Sequence, residues 1–181
     1  MKWPVSFSFI LFGALAALLS ALPAAGLCQG YQVVKPCYVD VPQWQRGELQ
    51  GIMMTMGDGR TMTATVQYSQ GDKEIDVVFN KGITAVVPAS KAEAMAQMGI
   101  SVEGSNGSMK VTQMEGYTVM MAEEKGESKG SHIMVILERP SKKRDGSILV
   151  FDTDSVPLQQ LLEFAKRFDW GCFSKKAATV W

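Results

Sequence analysis

The chain has 181 residues, 46% of them hydrophobic, and its 18 basic and 18 acidic side chains cancel in net charge. A balanced charge disfavours a dedicated nucleic-acid-binding protein, which needs a concentrated basic surface. We therefore expect no nucleic acid among its partners. The one basic run, residues 142–144, lies in a turn sequence and predicts a solvated hairpin tip.

The N-terminal segment, residues 1–26, has the order of a secretory signal peptide. Lys2 is followed by an uncharged apolar run, and the small residues Ala24 and Gly26 form a cleavage signature. An uncleaved membrane anchor stays open, because residues 5–27 are uncharged and long enough to span a bilayer. We expect a periplasmic or secreted protein of about 155 residues after cleavage, which is the size of one domain.

Lipidation is a third alternative for this region, with Cys28 as the modified residue. A lipidation signal has a small residue before its cysteine, whereas this chain has Leu27. We therefore expect membrane contact only if the N-terminal segment is retained or Cys28 is lipidated.

Three cysteines are present, and an exported protein in an oxidising compartment is expected to pair them. Cys37 and Cys172 lie near opposite ends of the mature chain, so we predict a disulfide between them. Cys28 is left over and competes for either partner if processing retains it. The chain contains no C-x-x-C motif, so nothing supports a thioredoxin-type redox role.

Residues 27–47 contain two prolines and no clear periodicity, which predicts an extended N-terminal arm before a single domain at 48–181. Alternation of apolar and polar residues then predicts strands in "LQGIMMTM", "TMTATVQY" and "KEIDVVFN". Asp58-Gly59 and Gly71-Asp72 are turn signals between them. These three segments predict a meander.

A short helix is predicted next, with Ser90 and Glu93 as a capping box and Gly99 at its end. Asn106-Gly107 marks another hairpin, and further strands are predicted in "GYTVMMAEE", "SHIMVILE" and "SILVFD". Residues 133–137 are apolar throughout, which indicates a central strand covered on both faces.

A final helix is predicted in "DSVPLQQLLEFAKRFDWG", with Asp154 or Ser155 capping its start and Gly171 at its end. The fold class is therefore α+β: an antiparallel sheet of about six or seven strands with two helices. Each half of the domain ends in a helix that follows a proline-containing turn. This order is compatible with a degenerate two-fold repeat.

Several enzyme motifs are missing from the sequence, including H-E-x-x-H, the P-loop and the dinucleotide glycine fingerprint. His132 is the one histidine, so double-histidine mechanisms are excluded. Asp152 and Asp154 form an acidic pair, but its interpretation as a strand end and helix cap is preferred to a catalytic role. We expect no catalytic residues and no cofactor.

Methionines are the unusual feature of the sequence, with four of them between positions 53 and 62. Thioether sulfur selects Cu(I), so a metal site of Met54, Met56, His132 and Met134 is the alternative hypothesis. Each pair alternates onto one face of its strand, and the four would converge if the strands were close. Filling of a hydrophobic core by flexible methionine is the preferred interpretation.

The stretches "ATVQYSQGDKEIDVVF" and "LLEFAKRFDW" together resemble small exported bacterial proteins of uncharacterised function. In these, a strand pair around a Gly-Asp-Lys turn precedes further strands and a closing helix. The resemblance covers those two stretches, transfers no site residues and implies a bacterial envelope location. Our leading hypothesis is a non-enzymatic exported domain that binds an envelope protein or a small ligand, with Cu(I) binding as the alternative.

Overall fold

The structure is a computed structural model that describes residues 30–57, 59–97, 101–126, 129–141 and 145–181. The predicted signal peptide at residues 1–26, Cys28 and the basic run at 142–144 lie outside the described residues.

The described residues form nine strands, a 3-10 helix and three α-helices. The strands are β1 (Gln45–Arg46), β2 (Gln50–Met56), β3 (Gly59–Gln70), β4 (Lys73–Gly82), β5 (Ser101–Gly104), β6 (Gly107–Met114), β7 (Tyr117–Glu124), β8 (Gly130–Glu138) and β9 (Ser147–Thr153). The helices are the 3-10 helix (Gly30–Cys37), α1 (Ile83–Gln97), α2 (Leu158–Ala165) and α3 (Trp170–Ala177).

All nine strands join one antiparallel sheet in the order β1–β3–β4–β9–β8–β7–β6–β5, with β2 also paired to β3. Most neighbours are consecutive hairpins, since such strands need only a short turn between them. The pairing of β4 with β9 joins two such meanders. The chain must therefore travel from β4 in the middle of the sheet to β5 at its far edge, and α1 makes that connection.

The two faces of the sheet are covered by different helices. The 3-10 helix, α2 and α3 cover one face, called here the aromatic face because rings such as Tyr68, Phe151, Phe164 and Phe173 pack there. The opposite face, called the α1 face, has a smaller core under α1. The α+β class predicted from the sequence is therefore confirmed.

The period-two pattern of β3 correctly predicts its buried face, because Met62, Ala64, Val66 and Tyr68 are all buried. The apolar run of β8 is covered on both faces, as predicted. Ile133 and Val135 pack in the core of the aromatic face, whereas Met134 and Ile136 pack under α1. A continuous apolar run thus identifies the strand that is buried on both faces of the sheet.

The strand count is larger than the predicted six or seven, partly because the short strand β1 lies in the segment predicted as an extended arm. That segment also contains the 3-10 helix, which buries Val34 and Cys37. Pro36 lies at the next-to-last position of this helix, and burial of Val34 and Cys37 supplies the stabilisation that the local pattern lacks. The structure does not show the predicted two-fold repeat, since α1 and α2 pack on opposite faces.

Helix α1 begins at Ile83 rather than at the predicted capping residue Ser90, and Pro88 lies inside it. Burial of Ala85 and Ala89 against the sheet accounts for the earlier start, because tertiary packing overrides a local start signal. The predicted end at Gly99 lies outside the described residues.

The C-terminal helix is divided into α2 and α3, so the prediction that Gly171 ends a single helix is wrong. Asp169 begins a new helix, since its carboxylate accepts a hydrogen bond from the N–H of Cys172 at 3.1 Å. The indole of Trp170 donates to the carbonyl of Ala165 and is buried. A side-chain cap and an aromatic anchor therefore turn the chain where a continuous helix is predicted.

The turn between β2 and β3 is displaced by one residue from the predicted Asp58-Gly59. Gly57 has the positive φ of 59°, and Gly59 already belongs to β3, opposite Met56. Glycine adopts this backbone conformation without steric cost. The hairpin is therefore as tight as predicted but starts one residue earlier.

Candidate functional site

Strand β2 lies at an open edge of the sheet. It pairs with β3 from Gln50 opposite Thr65 to Met56 opposite Gly59. Among the described residues, no strand pairs with its other side. An edge strand with free N–H and C=O groups is a template for pairing with another chain.

The direction of the backbone groups of β2 follows from a hydrogen bond on β3. The carbonyl of Gln67 accepts from the N–H of Gly47, so Gln67 points its backbone groups towards the β1–β2 side. This direction alternates along an antiparallel strand, so every second residue of β3 bonds to β2. Their partners on β2 are Gln50, Ile52, Met54 and Met56. The backbone groups that point to the open edge are those of Gly51, Met53 and Thr55.

The side chains of β2 differ between its two faces. Ile52 and Met54 project on the α1 face and are 50% and 44% exposed. Met53 lies on the aromatic face, where it packs against the core. β2 is thus supported from one side, and Ile52 and Met54 are exposed on the other.

The 3-10 helix packs closely against β2 at two glycines, Gly30 in the helix and Gly51 in the strand. A Cβ at Gly51 would overlap the ring of Tyr31, and a Cβ at Gly30 would overlap the sulfur of Met53. The two glycines therefore permit close approach of the helix and the strand. This approach holds the inner face of β2 in place and leaves its outer edge open.

The opposite edge of the sheet is different. β5 is four residues long, is exposed throughout and carries Glu103. Short length and a charged side chain are devices that protect an edge from pairing. β2 has seven residues and no charged side chain, so the two edges are not equivalent.

A polar row crosses the α1 face beyond the core under α1. The strand registers place Asp76, Asp152 and His132 side by side on β4, β9 and β8. The Nδ1 atom of His132 pairs with Oδ1 of Asp152. Burial raises the pKa of Asp76, and the carboxylates of Asp152 and Glu74 raise it further.

This row continues into an open cavity of about 200 Å³ where β4 begins and β9 ends. Its carboxylates are those of Asp72, Glu74, Asp76, Asp152 and Asp154. Among the described residues, no group of three or more histidine, cysteine, aspartate or glutamate side chains has an arrangement that holds a metal ion. The clustering of like charge instead disfavours the ionised form of Asp76.

The four residues of the predicted copper site are not brought together. Met54 and Met56 belong to β2, whereas His132 and Met134 belong to β8. β3, β4 and β9 lie between them, so four strand spacings, roughly 19 Å, separate the two pairs. Met134 is buried in the core under α1, as core filling predicts, whereas Met54 is 44% exposed and does not fill the core.

The predicted disulfide between Cys37 and Cys172 is present, with Cα atoms 5.6 Å apart. Cys37 ends the 3-10 helix, and Cys172 lies in the first turn of α3. Tyr38 and Phe173, the next residues along, meet edge to face at 5.1 Å between ring centroids. The bond therefore fastens the helix that supports β2 to the C-terminal part of the domain.

Sequence reasoning missed both the open edge of β2 and the row from Asp76 to His132. The open edge had a signal in the sequence, since β2 is seven residues long and uncharged, whereas protected edge strands carry charge or proline. The row had no local signal, since it depends on the register between β4 and β9.

No protein-family model, curated protein or solved structure matches this chain. In the part of the chain that the structure describes, no helix is both long and apolar enough to cross a membrane.

Proposed function

We propose that the protein is an exported, non-enzymatic domain that binds an extended segment of a polypeptide as an additional strand beside β2. The observation that carries this proposal is the open, uncharged edge of β2, with outward backbone groups at Gly51, Met53 and Thr55. Strand addition draws its affinity from backbone hydrogen bonds and its specificity from alternate side chains.

The bound segment is expected to be apolar on the α1 side. There it would lie beside Ile52 and Met54, whose exposed surface would be removed from water on binding. On the aromatic side, Met53 is already packed, so the segment gains less by an apolar side chain there. An envelope polypeptide with apolar residues at alternate positions fits this surface.

A periplasmic or secreted location is part of the proposal. The disulfide between Cys37 and Cys172 supports an oxidising, non-cytoplasmic compartment, because disulfides persist there. The signal-peptide pattern of residues 1–26 supports the same location.

Photo-crosslinking from the exported protein tests the binding edge. A photoreactive residue replaces Met54 in one variant and Val102, on β5, in the other, because the two side chains are 44% and 51% exposed. We expect a crosslinked polypeptide from position 54 and none from position 102.

Thr55→Pro supplies the second half of the test. The N–H of Thr55 points to the open edge, so proline removes a donor to the bound strand without removing a bond to β3. We expect the crosslink from position 54 to disappear in Thr55→Pro and to persist in Thr55→Ala, which keeps the N–H. Equal crosslinking from positions 54 and 102, or a crosslink unchanged by Thr55→Pro, would contradict the proposal.

A further inference from the structure

The outward-facing features of β2 are symmetric about Met53. Gly51 and Thr55 lie two residues to either side and present backbone groups to the same edge. Ile52 and Met54 lie one residue to either side and present exposed apolar side chains on the same face. An antiparallel strand that runs past this edge in the reverse order would meet the same features.

We propose that the strand received at this edge is β2 of a second copy of the chain, an inference that rests on the proposed function. A two-fold axis beside Met53 relates the copies, and their two sheets join into one across the paired β2 strands. Such an interface is isologous, since the same surface is used by both subunits.

The pairing supplies hydrogen-bond partners for the outward N–H and C=O groups of Gly51, Met53 and Thr55. Met53 faces the partner's Met53, and Gly51 faces the partner's Thr55. In an antiparallel ladder each such pair exchanges two N–H···O=C hydrogen bonds. Because the outward-facing residues alternate with those bonded to β3, the register centred on Met53 uses all three of them.

The side chains complement each other in this register. Ile52 lies opposite the partner's Met54, in a non-hydrogen-bonded pair whose Cα atoms are about 4.5 Å apart. Both side chains are large, apolar and exposed, and each covers the other across the axis. β2 has no ionisable side chain, so alignment of two copies brings no like charges together.

The supporting helix permits this approach. The 3-10 helix packs on both β2 and β3, so its place is over the inner side of the edge strand. The partner's 3-10 helix would lie about two strand spacings or more away, near the 8–10 Å that separates packed helices. A second copy of the chain is thereby accommodated on the same face.

The mass of the purified protein in solution is the first test. We expect a concentration-dependent dimer in sedimentation and light-scattering measurements. Thr55→Pro removes one hydrogen bond in each half of the interface, so it should raise the dimer dissociation constant by about tenfold or more. Thr55→Ala should leave it within about threefold, and Val102→Lys on β5 should do the same.

Cysteine crosslinking then tests the register. In a Cys28→Ser background, Ile52→Cys and Met54→Cys variants are prepared separately and then mixed under mild oxidation. Residue 52 of one copy faces residue 54 of the other, whereas like positions are diagonal at about 7–8 Å. We expect covalent dimers from the mixture at several times the yield of either variant alone.

The results separate this inference from the proposed function. A monomer at all concentrations, with a position-54 crosslink to a different polypeptide that Thr55→Pro removes, overturns the second copy but keeps the edge as a binding site. A dimer unaffected by Thr55→Pro, or equal crosslinking yields in the cysteine experiment, also overturns it. A monomer with no position-54 crosslink removes both proposals.

Discussion

Cys37 and Cys172 are 135 residues apart in sequence and are joined by a disulfide that closes nearly the whole described chain into a loop. The bond holds the end of the 3-10 helix against the first turn of α3. Since Tyr31 of the same 3-10 helix packs over Gly51, the disulfide also helps to hold β2 at the edge of the sheet.

Removal of this disulfide should destabilise the domain strongly. In the chain-entropy model, a loop of this length contributes about 5 kcal/mol, because the bond restricts the unfolded chain. We expect Cys37→Ala/Cys172→Ala to lower the free energy of unfolding by up to that amount in urea titrations. Dithiothreitol should destabilise the native protein and leave the double variant unchanged. Equal urea midpoints for the native protein and the double variant would contradict this prediction.

The hydroxyl of Tyr38 connects the N-terminal segment to the sheet. It donates a hydrogen bond to the carbonyl of Ala64 at 2.7 Å in a buried position. Tyr38→Phe leaves that interaction unmade, so we expect a loss of about 1–2 kcal/mol in the free energy of unfolding. Tyr68→Phe is the matched control, since its hydroxyl donates to the partly buried carbonyl of Val39 and should cost less. A larger loss for Tyr68→Phe would contradict the ranking.

Alkaline pH provides a separate test of the burial of these tyrosines. Burial raises the pKa of Tyr38 and that of Tyr68 above the ordinary value of 10. The unfolded chain therefore releases these protons near pH 10 while the folded chain keeps them, and stability falls as the pH rises further. Each tyrosine contributes a slope of about 1.4 kcal/mol per pH unit. We expect the stability gap between the native protein and Tyr38→Phe to narrow between pH 9 and pH 11, as followed by urea unfolding; a constant gap would be inconsistent with a raised pKa.

The sequence predicts those parts of the fold that depend on local pattern. Alternation in 61–68 identifies the buried face of β3, and the apolar run 133–137 identifies the strand covered on both sides. The pairing of Cys37 with Cys172 is predicted from their placement near both ends of a chain whose N-terminal pattern predicts export. Each of these signals lies in a few neighbouring residues or follows from the compartment that the sequence predicts.

The parts that the sequence does not predict depend on pairing between distant segments. The pairing of β4 with β9 places Asp76 beside Asp152, and no local pattern encodes that register. The same topology moves β2 to the edge and places three strands between Met54 and His132. The start of α1 at Ile83 likewise depends on burial of Ala85, which appears only once the sheet exists.

Asp76 should make the stability of the domain depend on pH in the acidic range. Burial and the nearby carboxylates of Asp152 and Glu74 raise its pKa, so the folded state disfavours the ionised form. The penalty is absent below the unfolded pKa of about 4 and is fully present above the folded pKa. We expect Asp76→Asn to raise the melting temperature at pH 7, and the gain to vanish near pH 3.5.

The exposed turn residue Glu115 offers the control for this experiment, because Glu115→Gln removes a carboxylate far from the cluster. It should leave the melting temperature unchanged at both pH values. A gain for Asp76→Asn that persists at pH 3.5 would show that packing, rather than ionisation, is responsible.

Lys81 and Glu138 form a buried ion pair beside Ser147 on the aromatic face. Their charged atoms are 3.2 Å apart, and their side chains are 6% and 18% exposed. Lys81 and Glu138 each lie opposite Ser147 on β9, so the sheet register brings the two charges together from β4 and β8.

Replacing one residue of this ion pair should lower the free energy of unfolding by more than its share in the loss caused by replacing both. Glu138→Gln leaves the ammonium of Lys81 buried without its counter-charge, at an expected cost of about 3 kcal/mol in the free energy of unfolding. Lys81→Met should cost less, because Glu138 is nearer to solvent. The Lys81→Met/Glu138→Gln double variant should lose clearly less than the sum of the single losses, since it leaves no unpaired charge.

Urea unfolding of the four proteins at pH 7 measures this coupling. The exposed Lys166–Glu163 pair is the control, for which a coupling of about 0.5 kcal/mol or less is expected. If the Lys81–Glu138 coupling is no larger than that of the exposed pair, the ion pair does not contribute to stability in the way that its burial predicts.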